Sequence, residues 1–284
     1  MISYRAMLDV PEGLVRFLAR LLAAERRLRG TPAGSRKLTP RAQAVLALRW
    51  FRDRTRIEAL GRDHGTSRAT AYRYVAEAVD VLSAQAPGLA EALERALADG
   101  VPYVILDGKV FASDGCAETA LSVKGSQFHP WYSGKARRYG ASVQAVMRPD
   151  GLPLWTGPAE PGSVHDITAA RLCALPALYR AAARGLPTLA DSGYQGAGIG
   201  ICTPVKNSPK GQYGKVKREL DDNELTRNLL LRGLRCQGER GFALLTRRWA
   251  ALQHITASPS RTTQITRAAL VLTHWEHKYL KQIR

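Results

Sequence analysis

Apolar residues recur at helical spacing through the first third of the chain. Within residues 1–36, several leucines and Phe17 follow this spacing, which predicts one amphipathic helix that ends near Gly30. From Thr39 the pattern continues as three further helices, and Thr39 followed by Pro40 is a typical helix start. The sequence therefore predicts an all-α amino-terminal region, in which the first helix packs on the others or pairs with another subunit.

The last two of these predicted helices follow each other closely in the sequence. They cover about 56–63 and 67–84, separated by a break at Gly65 and by Ser67, which can cap the second helix. Two helices joined by a glycine-containing turn are typical of a helix-turn-helix that reads DNA. The second helix carries hydroxyl and guanidinium groups suited to phosphates and base edges, namely Ser67, Arg68, Thr70, Tyr72 and Arg73. The alternative is a three-helix packing module whose arginines only face solvent.

After residue 100 the pattern changes to short apolar runs that alternate with helical segments. The predicted elements are a strand over 101–106, hairpin strands over 140–147 and 152–156, a helix over 167–184, strands over 186–190 and 199–205, and a helix over 223–252. A lysine-rich loop is predicted over 206–218. Antiparallel and crossover connections in one segment indicate an α/β domain.

Three acidic residues occupy comparable positions in these elements. Asp107 and Asp191 each follow a predicted strand, and Glu239 lies on the last predicted helix. Each acid alone is weak evidence, since an aspartate near a glycine usually belongs to a turn. Three carboxylates on converging elements are oxygen ligands of the kind that Mg²⁺ or Mn²⁺ prefers, and two such ions can catalyse phosphoryl displacement. We therefore expect a site for divalent ions, with two Mg²⁺ or Mn²⁺ ions bound.

The charge of the chain indicates a polyanionic partner. Lys and Arg number 42 against 24 Asp and Glu, for a net charge of +18. We expect the partner to be double-stranded DNA, with an anionic membrane surface or a merely basic protein as the alternatives. A basic segment with interleaved aromatic residues adds candidate phosphate ligands in Lys135, Arg137 and Arg138. Its Trp131 and Tyr132 either stack on a base or belong to the core.

Several other protein classes are disfavoured. The four cysteines include no C-x-x-C pair, so buried thiols are expected and a zinc site is not. No apolar run approaches the roughly 20 residues of a membrane-spanning helix, and no signal peptide is visible. We expect a cytoplasmic, nucleoid-associated protein without a membrane partner.

Five short segments together are specific for one family. They are Leu106-Asp107-Gly108, Tyr132-Ser133-Gly134-Lys135, Pro161-Gly162-Ser163-Val164-His165-Asp166, Ala190-Asp191-Ser192-Gly193-Tyr194 and Gly238-Glu239-Arg240-Gly241-Phe242. With them the chain resembles the DDE-type transposases of bacterial insertion sequences, most closely the insertion sequence five group and its Harbinger-like relatives.

The resemblance implies a fold and a set of site residues. The fold is a ribonuclease H-like mixed sheet flanked by helices and preceded by an all-α helix-turn-helix domain. Asp107, Asp191 and Glu239 become the catalytic, metal-binding triad, and Arg235 matches a basic position on the same helix face as the glutamate. Asp166 is either a further metal ligand, a supporting carboxylate or a helix cap.

The resemblance has one departure in the last predicted helix. Family members often carry a lysine seven residues after the glutamate, where this chain has Thr246. Whether the adjacent Arg247 takes over the contact with DNA is left open.

The resemblance also implies a domain order and a function. The predicted domains are an amino-terminal helix (1–36), a helix-turn-helix domain (37–86), a linker (87–102) and a nuclease domain (103–284). The function is that of a transposase, which binds terminal inverted repeats and catalyses metal-dependent cleavage and strand transfer as a homo-oligomer on element ends and target DNA. The alternatives are an inactive or domesticated DNA-binding regulator and a nuclease without strand transfer.

Overall fold

The computed structural model describes residues 7–116, 118–122, 124–206 and 219–279. Residues 207–218, which hold nearly all of the predicted lysine-rich loop, lie outside the described residues. The chain divides into two compact units, one formed by 1–86, 112–114 and 244–284, the other by 87–111 and 115–243. We call them the helical unit and the sheet unit.

The secondary structure combines helices with one mixed sheet and a small hairpin. The helices are α1 (Glu12–Leu28), α2 (Pro40–Asp53), α3 (Ile57–Asp63), α4 (Arg68–Ser83), α5 (Leu89–Ala98), α6 (Asp166–Cys173), α7 (Leu175–Ala183), α8 (Asp222–Arg248) and α9 (Thr262–Glu276). The strands are β1 (Val104–Ala112), β2 (Ala120–Leu121), β3 (Gln127–Phe128), β4 (Tyr132–Ser133), β5 (Arg138–Met147), β6 (Pro153–Pro161), β7 (Thr188–Ala190) and β8 (Ile201–Cys202). The α/β class predicted from the sequence is confirmed.

Two helices of the helical unit begin at the predicted capping residues. The Thr39 side chain accepts a hydrogen bond from the Ala42 amide at 3.2 Å, and Ser67 accepts one from Thr70 at 3.2 Å. Between α3 and α4, Gly65 has a φ of 62°, a backbone conformation that glycine adopts without strain. The core of this unit is built from fully buried apolar side chains of α1, α2, α4 and α9.

The described residues from 244 to 279 pack in the helical unit, although the sequence groups them with the nuclease domain. The Trp249 ring is fully buried and lies edge-on to Phe51, with ring centroids 6.4 Å apart. The Arg248 guanidinium binds the carboxylates of Asp9 and Glu276. A local hydrophobic pattern predicts a helix but not the core that the helix joins, so this grouping depends on tertiary contacts.

The sheet unit contains the mixed sheet, whose strand order is β4-β5-β1-β7-β8, with β6 also paired to β5. Strands β5 and β6 form the predicted antiparallel hairpin. Strand β7 runs parallel to both β1 and β8. The paired register of β1 and β7 ends at Leu106 and Ala190, so the two strands separate immediately before Asp107 and Asp191.

Three elements of the sheet unit differ from the sequence prediction. Strand β1 continues past Asp107 to Ala112 because it also pairs with β5. The single helix predicted over 167–184 is two helices, broken at Ala174, and Pro176 lies in the first turn of α7. A proline fits the first turn of a helix but not its interior, which explains the break. The strand predicted over 199–205 is limited to β8.

The glycines of α8 let this helix approach the sheet closely. A Cβ on Gly241 would lie 2.4 Å from the Met147 sulfur, and one on Gly238 would lie 3.1 Å from an Ile105 methyl group. Any side chain at Gly241 would therefore push the helix away from the sheet. The same glycines lower helix propensity, and α8 is nevertheless continuous from Asp222 to Arg248.

Candidate functional site

Asp107 and Asp191 lie next to each other at the point where β1 and β7 diverge. Each follows the last paired residue of its strand. Asp107 Oδ1 accepts a hydrogen bond from the Gly108 amide at 2.9 Å, and Asp191 Oδ1 accepts one from the Gly193 amide at 2.7 Å. In each carboxylate, a backbone amide therefore binds Oδ1 and fixes the orientation of the group, and Oδ2 receives no hydrogen bond from that amide.

Asp166, the first residue of α6, approaches the same place. A Cβ built on Gly108 would lie 2.6 Å from Asp166 Oδ1. One built on Gly193 would lie 3.5 Å from Asp166 Oδ2 and 2.8 Å from Asp191 Oδ1, so both oxygens lie close to Gly193. The N-cap position of α6 is occupied by His165 and Asp166 is already the first residue of the helix, which argues against the interpretation of Asp166 as the N-cap. We call Asp107, Asp166 and Asp191 the aspartate cluster.

The aspartate cluster is electrostatically strained. The pKa of Asp107 is raised to about 6, mainly by burial and also by the nearby carboxylates of Asp191 and Asp166, while the Gly108 amide and Arg235 act in the opposite direction. The Lys135 ammonium lies 3.1 Å from Asp166 Oδ2. Its partial burial opposes protonation, but the three aspartates outweigh this effect and raise the pKa of Lys135. A cation is thus favoured beside the cluster.

The positions of helix α8 nearest to the aspartate cluster are Gly238 and Arg235, not Glu239. A Cβ on Gly238 would lie 3.7 Å from Asp107 Oδ2, and the charge of Arg235, one turn earlier, lowers the pKa of Asp107. The Arg235 side chain is half-buried, and its Nε has no hydrogen-bond partner among the described residues. The Glu239 side chain is exposed. The structure therefore brings Asp107 and Asp191 together with Asp166, and the place of Glu239 in the site stays a prediction.

A basic groove opens beside the aspartate cluster. It has a cavity volume of about 690 Å³ and is lined in part by Lys109, Ser133, Lys135, Arg138, Ser163, His165 and Asp166. Of the predicted phosphate ligands, Lys135 and Arg138 line the groove, whereas Arg137 is exposed in the turn before β5 with a φ of 51°. Sequence reasoning missed Lys109. It lies two residues after Asp107 in β1, so strand periodicity predicts that both side chains point to the same face.

The predicted DNA-contacting residues of α4 share one surface of the helical unit. Arg68, Tyr72 and Arg73 are exposed, Thr70 is half-buried, and the exposed Ser67 caps the helix. The Arg68 guanidinium lies 5.6 Å from the Tyr72 ring centroid, and its Nε is 2.9 Å from the Glu58 carboxylate. Arg73 donates a hydrogen bond to the Thr70 hydroxyl at 3.2 Å. Glu58 therefore holds Arg68 in place and competes with a phosphate for it.

Arg247 is exposed in the last turn of α8, within the helical unit. Its neighbour Arg248 is instead committed to the ion pairs with Asp9 and Glu276. Of these two adjacent arginines, Arg247 is the one available to an external ligand.

Comparison with known proteins identifies the family. The family model described as DDE superfamily endonuclease matches residues 114–274, more than half of the chain. The matched segment contains Asp166, Asp191 and Glu239 and begins after Asp107. No curated protein and no solved structure matches the chain. None of the helices in the described ranges is long and apolar enough to cross a membrane. The chain belongs to the DDE superfamily endonucleases.

Proposed function

We propose that this endonuclease-family protein is a transposase, which binds the terminal inverted repeats of a mobile element and catalyses metal-dependent cleavage and strand transfer. The observation that carries the proposal is the aspartate cluster beside the basic groove, where one site offers carboxylates for a cation and ammonium and guanidinium groups for phosphates. The net charge of +18 supports DNA as the polyanion. The mixed sheet is compatible with a ribonuclease H-like fold of the insertion sequence five group.

A divalent cation is part of this proposal, and the chemistry of the donor set supports it. Among the described residues, no group of three or more His, Cys, Asp and Glu side chains has the arrangement of a complete metal site. The carboxylates of Asp107, Asp166 and Asp191 are nevertheless hard oxygen donors, and burial together with their proximity keeps the pKa of Asp107 raised. A cation would relieve this repulsion. The residues therefore fit Mg²⁺ or Mn²⁺, and Glu239 is the candidate for a further ligand.

The residues of the site have separate roles in the proposed reaction. Lys135, Lys109 and Arg138 hold the phosphodiester in the groove by charge-assisted hydrogen bonds. The aspartates would hold the divalent ions, and bound ions would supply activation of the attacking oxygen and stabilisation of the leaving oxygen. Lys135 contacts Asp166 in this structure, and the same ammonium is within reach of a phosphate bound beside it.

Cleavage of a duplex that carries the element's terminal repeat should require a divalent ion. We expect product in Mg²⁺ or Mn²⁺, none in EDTA, and DNA binding with little cleavage in Ca²⁺. Mg²⁺ imposes octahedral geometry at about 2.0–2.1 Å, whereas Ca²⁺ accepts looser arrangements. A gel that resolves cleaved ends from strand-transfer products, run beside a gel-shift assay, measures all these outcomes.

Each alternative function has its own outcome in this experiment. Full cleavage in EDTA contradicts the proposed function. Cleavage without strand transfer supports a nuclease, and binding without cleavage in any metal supports an inactive DNA-binding regulator.

The second testable part of the proposal is a helix-turn-helix in which α4 reads the element ends. Arg68→Ala and Arg73→Ala should each weaken binding to the terminal repeat, by about 1–3 kcal/mol where the lost contact is to a base. A lost phosphate contact instead lowers affinity for all sequences and reduces the salt dependence of binding. Fluorescence anisotropy over a range of salt concentrations separates the two cases.

The matched control for these variants is Arg20→Ala. Arg20 is an exposed arginine of α1, so this variant removes the same charge from a different helix. If both α4 variants bind like the control, α4 does not contact the element ends.

A further inference from the structure

Two fully buried polar side chains lie beneath the aspartate cluster without a role in the mechanism above. Gln144 in β5 and Tyr194 after β7 are both 0% exposed. The Tyr194 hydroxyl donates a hydrogen bond to Gln144 Oε1. Gln144 Nε2 has no hydrogen-bond partner among the residues that the structure describes. A buried amide donor without a partner costs stability, so its retention requires an explanation.

The unpartnered nitrogen lies beside the same glycine as Asp166. A Cβ on Gly108 would lie 2.7 Å from Gln144 Nε2, 2.6 Å from Asp166 Oδ1 and 3.1 Å from the Tyr194 hydroxyl. These polar atoms therefore share the space that the missing side chain of Gly108 leaves open. Because an ionised carboxylate only accepts hydrogen bonds, the amide nitrogen is the end of Gln144 that suits Asp166. The Tyr194 hydroxyl fixes that orientation by binding the amide oxygen.

Packing alone does not account for Gln144. Its neighbours in β5, Val143, Ala145 and Val146, are buried apolar residues, and an apolar side chain at 144 would fill the same volume without an unpaired donor. The amide instead lies close to Asp166. Lys135 donates to Asp166 Oδ2, which lies close to Gly193, whereas Asp166 Oδ1 and Gln144 Nε2 both lie close to Gly108.

We propose that Gln144 is a positioning residue for Asp166. In the cation-bound protein, Nε2 donates to Asp166 Oδ1, Tyr194 holds the amide in the required orientation, and Oδ2 is thereby kept available to the divalent cation. This inference rests on the proposed function and adds two residues that act through Asp166. Hydrogen bonds that orient metal-binding carboxylates tune metal affinity in the same manner.

The test is Mn²⁺ affinity in the absence of DNA, measured by electron paramagnetic resonance of free and bound Mn²⁺. Gln144→Met removes both amide atoms at similar volume, and Tyr194→Phe removes only the hydroxyl. We expect Gln144→Met to weaken Mn²⁺ binding by about 10–100-fold, the range found for such supporting partners. Tyr194→Phe should weaken it less. The double variant should bind Mn²⁺ no more weakly than Gln144→Met, because the hydroxyl acts through the amide.

The double variant keeps the test valid if Gln144→Met alone is unstable. Replacing both hydrogen-bonded partners by apolar groups of similar shape leaves no buried polar atom unpaired, so the double variant should fold as well as the wild type. Thermal unfolding without metal checks this.

The control is Gln195→Met, because Gln195 is an exposed glutamine in the same unit and donates to the Pro204 carbonyl. It should leave Mn²⁺ affinity unchanged.

The possible failures are distinguishable. If the folded double variant binds Mn²⁺ as tightly as the wild type, the inference about Gln144 is wrong and the proposed function stands. If the wild type binds no Mn²⁺ and cleaves DNA in EDTA, the proposed function and the inference both fall.

Discussion

Asp191→Ala is expected to abolish strand cleavage and to leave duplex DNA binding intact. The substitution removes a carboxylate that lies near Asp107 and Asp166, so a cation held by the aspartate cluster would lose a ligand. We expect cleavage to fall by about 10²-fold or more, the loss that follows removal of a single transition-state contact in other enzymes. DNA binding should not weaken, because the variant removes negative charge from a site that faces phosphate. A nicking assay run beside a gel-shift assay measures both quantities.

The matched control is Glu91→Ala, which removes an exposed carboxylate from α5 in the same unit. It should cleave like the wild type. Normal cleavage by Asp191→Ala would show that the site has been assigned to the wrong residues.

The same assay decides which carboxylate joins Asp107 and Asp191. Asp166→Ala should lose cleavage to a similar extent, because the Asp166 side chain is only 17% exposed and adjoins both neighbours. Glu239 is exposed one residue beyond Gly238. Loss of cleavage in Glu239→Ala would mean that this carboxylate turns into the site when the cation binds. Retained cleavage would leave Asp166 as the third ligand.

The positions of Asp107 and Asp191 could be predicted because each follows a run of buried apolar residues. Parallel pairing of those runs then brings the two acids together, as the register of Leu106 with Ala190 shows. The continuation of β1 to Ala112 could not be predicted in the same way. Gly108 and Lys109 read as a turn in isolation, and they are extended because β5 supplies a pairing partner.

Other features of the site depend on contacts that have no local signal. The glycines of α8 reduce helix propensity, so the sequence alone gives no reason for them. The reason is the close approach of α8 to the sheet, which leaves no space for a side chain at Gly241. Gln144 lies within a buried strand, and the sequence does not show that its amide lies beside Asp166 and Tyr194. The sequence motif identifies Asp166 as a candidate but does not distinguish a helix cap from a carboxylate of the site. The proximity of Asp166 to Gly108, beside Asp107, is visible only in the structure.

The raised pKa of Asp107 gives a stability prediction that is independent of cleavage. Burial first, and then the neighbouring carboxylates, raise this pKa from 3.8 to about 6. Between these two pH values the folded protein retains a proton that the unfolded chain releases, so the free energy of unfolding falls as the pH rises. The loss is complete above pH 6. A difference of about two units corresponds to roughly 3 kcal/mol.

Asp107→Asn should therefore be more stable than the wild type at pH 8, by up to about 3 kcal/mol, and should lose that advantage at pH 4. Asparagine carries no charge at either pH, so the variant avoids the cost of burying an ionised carboxylate. Urea unfolding of both proteins in EDTA at the two pH values measures the difference, and the comparison at pH 4 is the internal control. Equal differences at the two pH values would contradict the raised pKa. In the same variant cleavage should be lost, because the asparagine amide lacks the negative charge with which the carboxylate of Asp107 would bind a divalent cation.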